Sequence, residues 1–295
     1  MPLRAIGARL KESFPGRCAR TFVEQQGLDR AMAIASQSFT ALIPLLILAS
    51  AALPTGSEHG VADAIVGKFG LSGDAEKSVR LVFAQTQPGS VGVGSLFLLL
   101  FSGVSLTRRL QRMYLQAYDL PPSPGVRGTF NASLGLAAFL AEVGLLSLLR
   151  SIVRSLPFDW ASGLPLTMVV GVLFWTTVPF LLLDRRMPWR RLLPAGALAG
   201  VAVSLYGVAT TFYMPVLMTS YSRRYGLFGI TVAIVGWLLC MAVIVVSTTI
   251  VAAEFDRARE PWACRLRATL GFDQPLVVPE GAPLEDEREV SRRWQ

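Results

Sequence analysis

Long apolar windows alternate along the chain with short segments that hold nearly all of its charged residues. Six windows of 17 to 27 residues carry at most one charged side chain each. At a rise of about 1.5 Å per residue, roughly 20 residues of helix cross a bilayer core of about 30 Å. We therefore predict an all-α, polytopic membrane protein with six transmembrane helices, at residues 31–53, 91–107, 131–149, 164–183, 192–218 and 227–253.

The segments outside these windows predict surface helices and a tail. Residues 1–30 form a cytoplasmic amphipathic segment, because Leu3, Ile6, Leu10 and Phe14 recur at helical spacing. This segment either lies on the membrane surface or packs on the bundle as a short helix. The long loop 54–90 carries two weaker helical stripes and is predicted to cap the bundle. The six-span domain covers 31–254, and 255–295 is a cytoplasmic tail, expected to be disordered from about residue 271 because no apolar stripe continues there.

Basic residues divide unequally between the two sides of the predicted bundle. The two termini and the loops after spans 2 and 4 hold 21 lysines and arginines, and the other side holds 7. The positive-inside rule places the richer side in the cytoplasm. Together with arginine-rich bacterial composition, this predicts a multi-pass protein of the bacterial inner membrane with both termini cytoplasmic. Anionic headgroups then account for the net charge of +8, and we expect membrane lipids and no nucleic acid as partners.

Signatures of catalysis and metal binding are missing from the sequence. The three cysteines are far apart, and His59 is the only histidine, so neither a disulfide framework nor a zinc site is predicted. The sequence also lacks the motifs of zinc peptidases, serine hydrolases and P-loop proteins. We therefore expect no cofactor, no catalytic residues and no enzyme activity.

Glu142 lies near the middle of predicted span 3 and needs a physical reason to be there. A charged side chain at that depth costs about 2.5–3.5 kcal/mol on insertion scales. It is either a proton or substrate site, or a neutral carboxyl hydrogen-bonded to a neighbouring span. Polar side chains in spans 1, 5 and 6 are candidates to meet it: Gln37, Ser38, Thr210, Thr211 and Ser247.

Prolines and glycines inside the predicted spans indicate local shape. Pro44 and Pro179 are candidates for helix kinks, since each removes a backbone hydrogen bond. Gly196 and Gly200 form a Gly-x-x-x-Gly pattern, which is typical of close helix packing.

Two stretches resemble the YihY/BrkB family. The entry Asp29-Arg30-Ala31 and the run from Ala35 to Leu46 resemble that family's first span, and Tyr225-Gly226-Leu227-Phe228-Gly229, followed by Trp237, resembles its last span. The family's last span typically ends in Gly-Ala-Glu, where this chain has Ala252-Ala253-Glu254, which leaves the role of Glu254 open. The resemblance implies six spans, cytoplasmic termini and an inner-membrane location.

The sequence and the resemblance leave three candidate functions. The YihY/BrkB family is labelled a virulence factor linked to serum resistance, and some members are linked to lipid transport, so the resemblance implies a transporter or exporter of a lipid-like or amphipathic substrate. The alternative is a non-transporting structural or envelope-assembly protein. The family label ribonuclease BN, which we take to be a misattribution, makes a membrane-associated ribonuclease the remote third. A wet cavity reaching Glu142 would favour transport, and a dry bundle would favour the structural alternative.

Overall fold

A computed structural model describes residues 13–52, 66–67, 73, 76–77, 80, 92–121, 128–138, 140–141, 144–145 and 160–272. The described residues form helices and connecting turns, and none of them lies in a β-strand. In chain order the helices are α1 (Phe14–Glu24), α2 (Gly27–Ala52), α3 (Gly92–Ala117), α4 (residues 128–138), α5 (Trp160–Leu182), α6 (Trp189–Arg257) and α7 (Pro261–Leu270).

The longest element, α6, consists of two antiparallel arms. Its 69 residues would span roughly 100 Å if straight, but Gly226 has φ 58° and ψ −136°, a conformation that only glycine adopts readily. The chain reverses there, since the Trp237 indole N–H donates to Thr210 Oγ1 at 3.2 Å across the two arms. We call Trp189–Gly226 the first arm and Phe228–Arg257 the second arm.

Three described helices are long and apolar enough to cross a membrane, judged by length and composition. They are Pro165–Leu182 in α5 and the two arms of α6, and they cover the positions of predicted spans 4, 5 and 6. Large apolar side chains such as Phe212 and Phe228 are 76% and 70% exposed on the arms, which suits contact with lipid. The described residues of predicted spans 1, 2 and 3 are also helical, although 139, 142–143 and 146–149 of span 3 lie outside the described residues.

α3 continues past the predicted end of span 2. The apolar window stops at Thr107, but the helix runs on to Ala117. Arg108 and Arg109 are exposed within it, while Tyr114 in the next turn is buried. The end of the helix and the predicted end of the span differ because hydropathy marks where the apolar surface stops, whereas a helix with a polar face can continue beyond that point.

Close packing joins α5 to the first arm of α6, as the Gly-x-x-x-Gly pattern predicted. A Cβ built on Gly196 would overlap the Thr176 side chain. One built on Gly200 would lie 2.5 Å from the backbone nitrogen of Val172. Both glycines therefore let the two backbones touch, and the structure confirms their packing role.

The main core lies where α2, α3, α5 and both arms of α6 meet. Its fully buried members include Ala31, Tyr114, Leu182, Leu192 and Val246, one from each of these segments. This cluster fixes the ends of α3, α5 and α6 beside one another, and it thereby positions the charged residues described below.

Two short helices close one end of the bundle. Ser13 caps α1 by accepting from the Gly16 N–H at 3.4 Å. The Phe14 ring packs edge-on against Trp262 of α7, with centroids 5.3 Å apart. Of the two interpretations of residues 1–30, this contact supports packing on the bundle for the described part. Leu3, Ile6 and Leu10 lie outside the described residues.

The segment predicted as a tail begins as folded structure. Phe255 and Arg257 belong to the last turn of α6, and α7 follows after three residues. The sequence did not predict α7, because its amphipathic pattern is short and its buried face includes a charged residue, Arg267. The predicted disorder from about residue 271 falls on 273–295, which lie outside the described residues.

Candidate functional site

Four segments predicted to share the cytoplasmic side meet at one end of the bundle, which we call the charged end. α1 reaches the end of α6 through Arg17, whose Nε lies 3.9 Å from Glu254. The turn after α3 reaches it through Asp119, and the start of α6 through Arg191. Residues far apart in sequence therefore form one cluster, with arginines and carboxylates interleaved.

Glu254 lies at the centre of this cluster. It lies in the last turn of α6 and is 8% exposed. Thr21 Oγ1 donates to its Oε1 at 2.8 Å, Arg257 Nη1 lies 3.5 Å from the same oxygen, and Arg17 approaches the other oxygen. A carboxylate buried this deeply needs such partners to offset its desolvation. Glu254 therefore holds α1 against α6.

Arg257 joins the ends of α3 and α6. Its Nη2 donates to the Ala117 carbonyl and to Asp119 Oδ2, each at 2.6 Å. Asp119 has φ 51° in the turn that follows α3, a left-handed conformation that aspartate tolerates better than most residues. The guanidinium thus satisfies a carbonyl at the helix terminus and a carboxylate together.

A second, more deeply buried group lies behind Glu254. The Asp256 side chain is 3% exposed, and its Oδ1 lies 3.1 Å from Arg191 Nε. Arg267 of α7 is completely buried and donates to the carbonyls of Phe255 and Asp256 at 2.7 and 2.9 Å. Arg267 therefore caps the carbonyl end of α6, which carries partial negative charge. Burial raises the pKa of the adjacent Tyr118 phenol, and the nearby Asp256 carboxylate raises it further.

An open cleft of about 440 Å³ lies between α1 and the segment joining α6 to α7. It is lined by Arg17, Glu254, Arg257, Ala258, Arg259 and Glu260. Arg17 Nη2 donates to Glu260 Oε1 at 2.5 Å, and this hydrogen bond holds the pKa of the Glu260 carboxyl below its ordinary value. The second oxygen, Glu260 Oε2, is buried and has no hydrogen-bond partner among the described residues.

The meeting of polar side chains around Glu142 stays a prediction. Glu142 itself lies outside the described residues. Gln37, Ser38 and Ser247 are half-buried, and no hydrogen bond joins any two of them among the described residues. Thr211 is exposed and donates to the Val208 carbonyl at 2.7 Å.

Thr210 alone of these candidates contacts another residue singled out in the sequence. Its hydroxyl donates to the Tyr206 carbonyl at 2.7 Å and accepts from the Trp237 indole. Backbone bonding of this kind is common for threonine in membrane helices. The contact joins the two arms of α6.

The residues that resemble the family's last span build the hairpin of α6. Gly226 makes the turn, and the 61% exposed Tyr225 stands beside it. A Cβ on Gly229 would overlap the Tyr221 carbonyl, so only glycine fits the close approach at the start of the second arm. Trp237 then anchors the arms through Thr210. The described contacts thus give this motif a structural role.

The proline candidates do not end their helices. Helical structure runs unbroken through Pro44 in α2 and through Pro179 in α5. A kink at either proline stays a prediction, and within α6 the non-helical φ and ψ lie at Gly226.

The charged end was missed as a site when the sequence was read. Its arginines were counted for orientation, but their acidic partners were not paired with them. One signal was available, because Glu254 stands where the family's Gly-Ala-Glu was expected, and Asp256 and Arg257 follow directly. Asp119 offered no signal, since its partner lies 138 residues away in the chain.

Comparison with known proteins gives one match, to a protein family. The family model described as virulence factor BrkB matches residues 18–265, a range that includes the hairpin of α6 and most of the charged end, but not Arg17 or Arg267. No curated protein and no solved structure matches the chain.

Proposed function

The chain belongs to the virulence factor BrkB family, and on that premise we propose that it transports or exports a lipid-like or amphipathic substrate across the bacterial inner membrane. Family membership and the long apolar helices already make it an integral membrane protein. The proposal adds six spans, cytoplasmic termini and a substrate site at the charged end.

The meeting of the basic segments at one end supports the orientation. The topology with 21 basic residues on one side requires α1, the turn after α3, the turn before α6 and α7 to share a side, and these segments touch one another. If an odd number of membrane-spanning helices separated any two of these segments along the chain, those two segments would lie on opposite sides of the bilayer. The positive-inside rule then favours the cytoplasm for this end.

The cleft at the charged end is the observation that carries the transport proposal. Glu254 and Arg257 lie in the last turn of a helix long enough to cross the membrane, and Arg259 and Glu260 follow it directly. In the proposed topology the cleft lies at the depth of lipid headgroups, and its charged lining suits the polar part of an amphipathic molecule.

A non-transporting structural role is the second candidate, and it too has a specific observation in its favour. The interface between α5 and the first arm is closely packed at Gly196 and Gly200, and a hydrogen bond between Thr210 and Trp237 bridges the two arms. Such contacts suit a rigid bundle. A direct transport measurement separates the two candidates.

The test uses the full chain reconstituted in liposomes that contain a phospholipid labelled on its acyl chain. An impermeant quencher added outside reports the fraction of label in the outer leaflet, with and without an imposed proton gradient. The transport proposal predicts that protein makes the inner-leaflet label accessible, and that Arg257→Gln slows this more than Arg265→Gln, an exposed arginine outside the cleft. Unchanged accessibility under both conditions would favour the structural role.

A further inference from the structure

Charges of both signs surround the cleft at the charged end. Three arginines and two glutamates line it, and neighbouring opposite charges lie close together. Arg17 is 2.5 Å from Glu260 and 3.9 Å from Glu254, and Arg257 is 3.5 Å from Glu254. The cleft therefore presents alternating positive and negative groups, which differs from a purely basic patch.

Two groups in this lining have charge or hydrogen-bonding capacity that no described residue uses. Arg259 is exposed and makes no ion pair with any other described residue. Glu260 Oε2 has no donor within the described part of the chain, although Arg17 engages the other oxygen of the same carboxylate. A buried carboxylate oxygen without a donor is costly. Because the Glu260 side chain as a whole is 30% exposed, a rotation of its carboxylate presents this oxygen to an N–H donor of a ligand in the cleft.

A simple anion fits this lining poorly. A phosphate would pair with Arg257 or Arg259, but Glu254 and Glu260 would repel it, and such like-charge contacts are a common source of specificity. A simple cation would pair with the glutamates, but the arginines would repel it. A ligand that joins a phosphate to a primary ammonium satisfies both sets of groups.

The position of the cleft favours a membrane-borne source for such a ligand. The second arm ends at Arg257, and three residues later α7 begins. Trp262 on α7 is 47% exposed beside the cleft, as is typical of aromatic residues at a membrane–water boundary. A headgroup in the adjacent leaflet can enter the cleft while its acyl chains stay beside the second arm.

We infer that this cleft binds a zwitterionic headgroup of the phosphoethanolamine type, with its phosphate on Arg257 and Arg259 and its ammonium on Glu260. The inference deepens the proposed function by naming the headgroup class, and it rests on that function for its lipid-like substrate. Binding at this site is nevertheless measured without any transport, so the two can fail separately.

The test measures how ligands shift the thermal unfolding midpoint of the full chain purified in detergent. The probes are dihexanoyl phosphatidylethanolamine, the matching phosphatidylglycerol and phosphatidylcholine, soluble phosphoethanolamine, and inorganic phosphate. Phosphatidylethanolamine should raise the midpoint most. Phosphatidylcholine should bind more weakly because its trimethylammonium has no N–H to donate, and phosphatidylglycerol because it has no cation. Soluble phosphoethanolamine should bind measurably if the headgroup alone suffices, and inorganic phosphate should not.

Two variants locate the binding, each with a matched control. Arg259→Gln should weaken phosphatidylethanolamine binding about tenfold, as expected for loss of one charge-assisted contact, while Arg265→Gln should not. Glu260→Gln should abolish the preference over phosphatidylglycerol, while Glu24→Gln, on the exposed face of α1, should keep it. Unfolding midpoints without lipid identify any variant that is merely misfolded.

The headgroup proposal is overturned if phosphatidylglycerol or inorganic phosphate stabilises the protein as strongly as phosphatidylethanolamine. It is also overturned if Arg259→Gln behaves like Arg265→Gln. Selective binding without movement of labelled lipid in liposomes would retain the headgroup site and reject transport. Movement of labelled lipid without headgroup selectivity would retain transport and reject the headgroup site.

Discussion

The buried pair Arg191–Asp256 allows a quantitative test of the charged end. Its side chains are 15% and 3% exposed, with 3.1 Å between Arg191 Nε and Asp256 Oδ1. Removing one partner of a buried pair leaves the other charge uncompensated and costs about 3–5 kcal/mol when burial is complete. The partial exposure of Arg191 places the expected cost of Arg191→Met near the lower end of that range.

A double-mutant cycle isolates the interaction from the rest of each substitution. We expect Arg191→Met and Asp256→Asn each to destabilise the protein by about 2–4 kcal/mol. The double variant should cost less than the sum of the two, because it leaves no unpaired charge, and the coupling energy should be about 2 kcal/mol. The free energies come from reversible unfolding in mixed detergent micelles, followed by circular dichroism.

The exposed pair Arg20–Glu24 provides a control for the cycle. Its side chains are 61% and 64% exposed, and they lie one turn apart on α1 at 3.5 Å. Pairs of this kind contribute about 0.3–0.5 kcal/mol. If the coupling between Arg191 and Asp256 were no larger than that between Arg20 and Glu24, the structural reasoning about the buried group would be refuted.

Three further predictions concern acid pH, helix packing and the intramembrane carboxyl. The hydrogen bond from Arg17 lowers the folded-state pKa of Glu260, so the contact stabilises the protein above the ordinary carboxyl pKa of 4.5, and this stabilisation is lost as pH falls through the folded-state pKa. The thermal unfolding midpoint should therefore fall less steeply with acid pH for Glu260→Gln than for the unchanged protein. Gly200→Ala should destabilise the protein by about 1–3 kcal/mol through overpacking against α5, whereas Gly207→Ala, which meets no neighbouring atom within 4 Å, should be neutral by the same unfolding measurement. Glu142→Gln should insert normally and abolish function in a complementation assay if the carboxyl binds a proton or substrate; normal function would leave it a structural group.

Hydropathy predicted the apolar helices well because a span must hide its backbone from lipid over a defined length. The windows 192–218 and 227–253 overlap the two arms of α6, Trp189–Gly226 and Phe228–Arg257, and a glycine between the windows, Gly226, makes the turn. At α3 the helix continues ten residues beyond the apolar window 91–107, because hydropathy marks apolar surface and not the end of a helix. Hydropathy also did not predict that Arg267 is buried, because arginine side chains are rarely fully buried.

The charged end could not be derived from sequence because its contacts are long-range. Arg257 and Asp119 are 138 residues apart, and Arg17 and Glu260 are 243 apart. Their pairing depends on where helix packing places the ends of α1, α3 and α6. A basic residue near a span end satisfies the positive-inside rule with or without a partner, so counting charges predicted the side of the membrane but not the site.

Cysteine labelling in intact cells tests the orientation of the charged end most directly. Cys264 is exposed on α7 at that end, and Arg223 is exposed beside the turn of the α6 hairpin at the other. In a chain with Cys18 and Cys240 replaced by serine, an impermeant maleimide should label Cys264 only after the inner membrane is permeabilised. With Cys264 also replaced, Arg223→Cys should be labelled in intact cells. Labelling of Cys264 in intact cells, with Arg223→Cys protected, would place the charged end outside and contradict the cytoplasmic orientation.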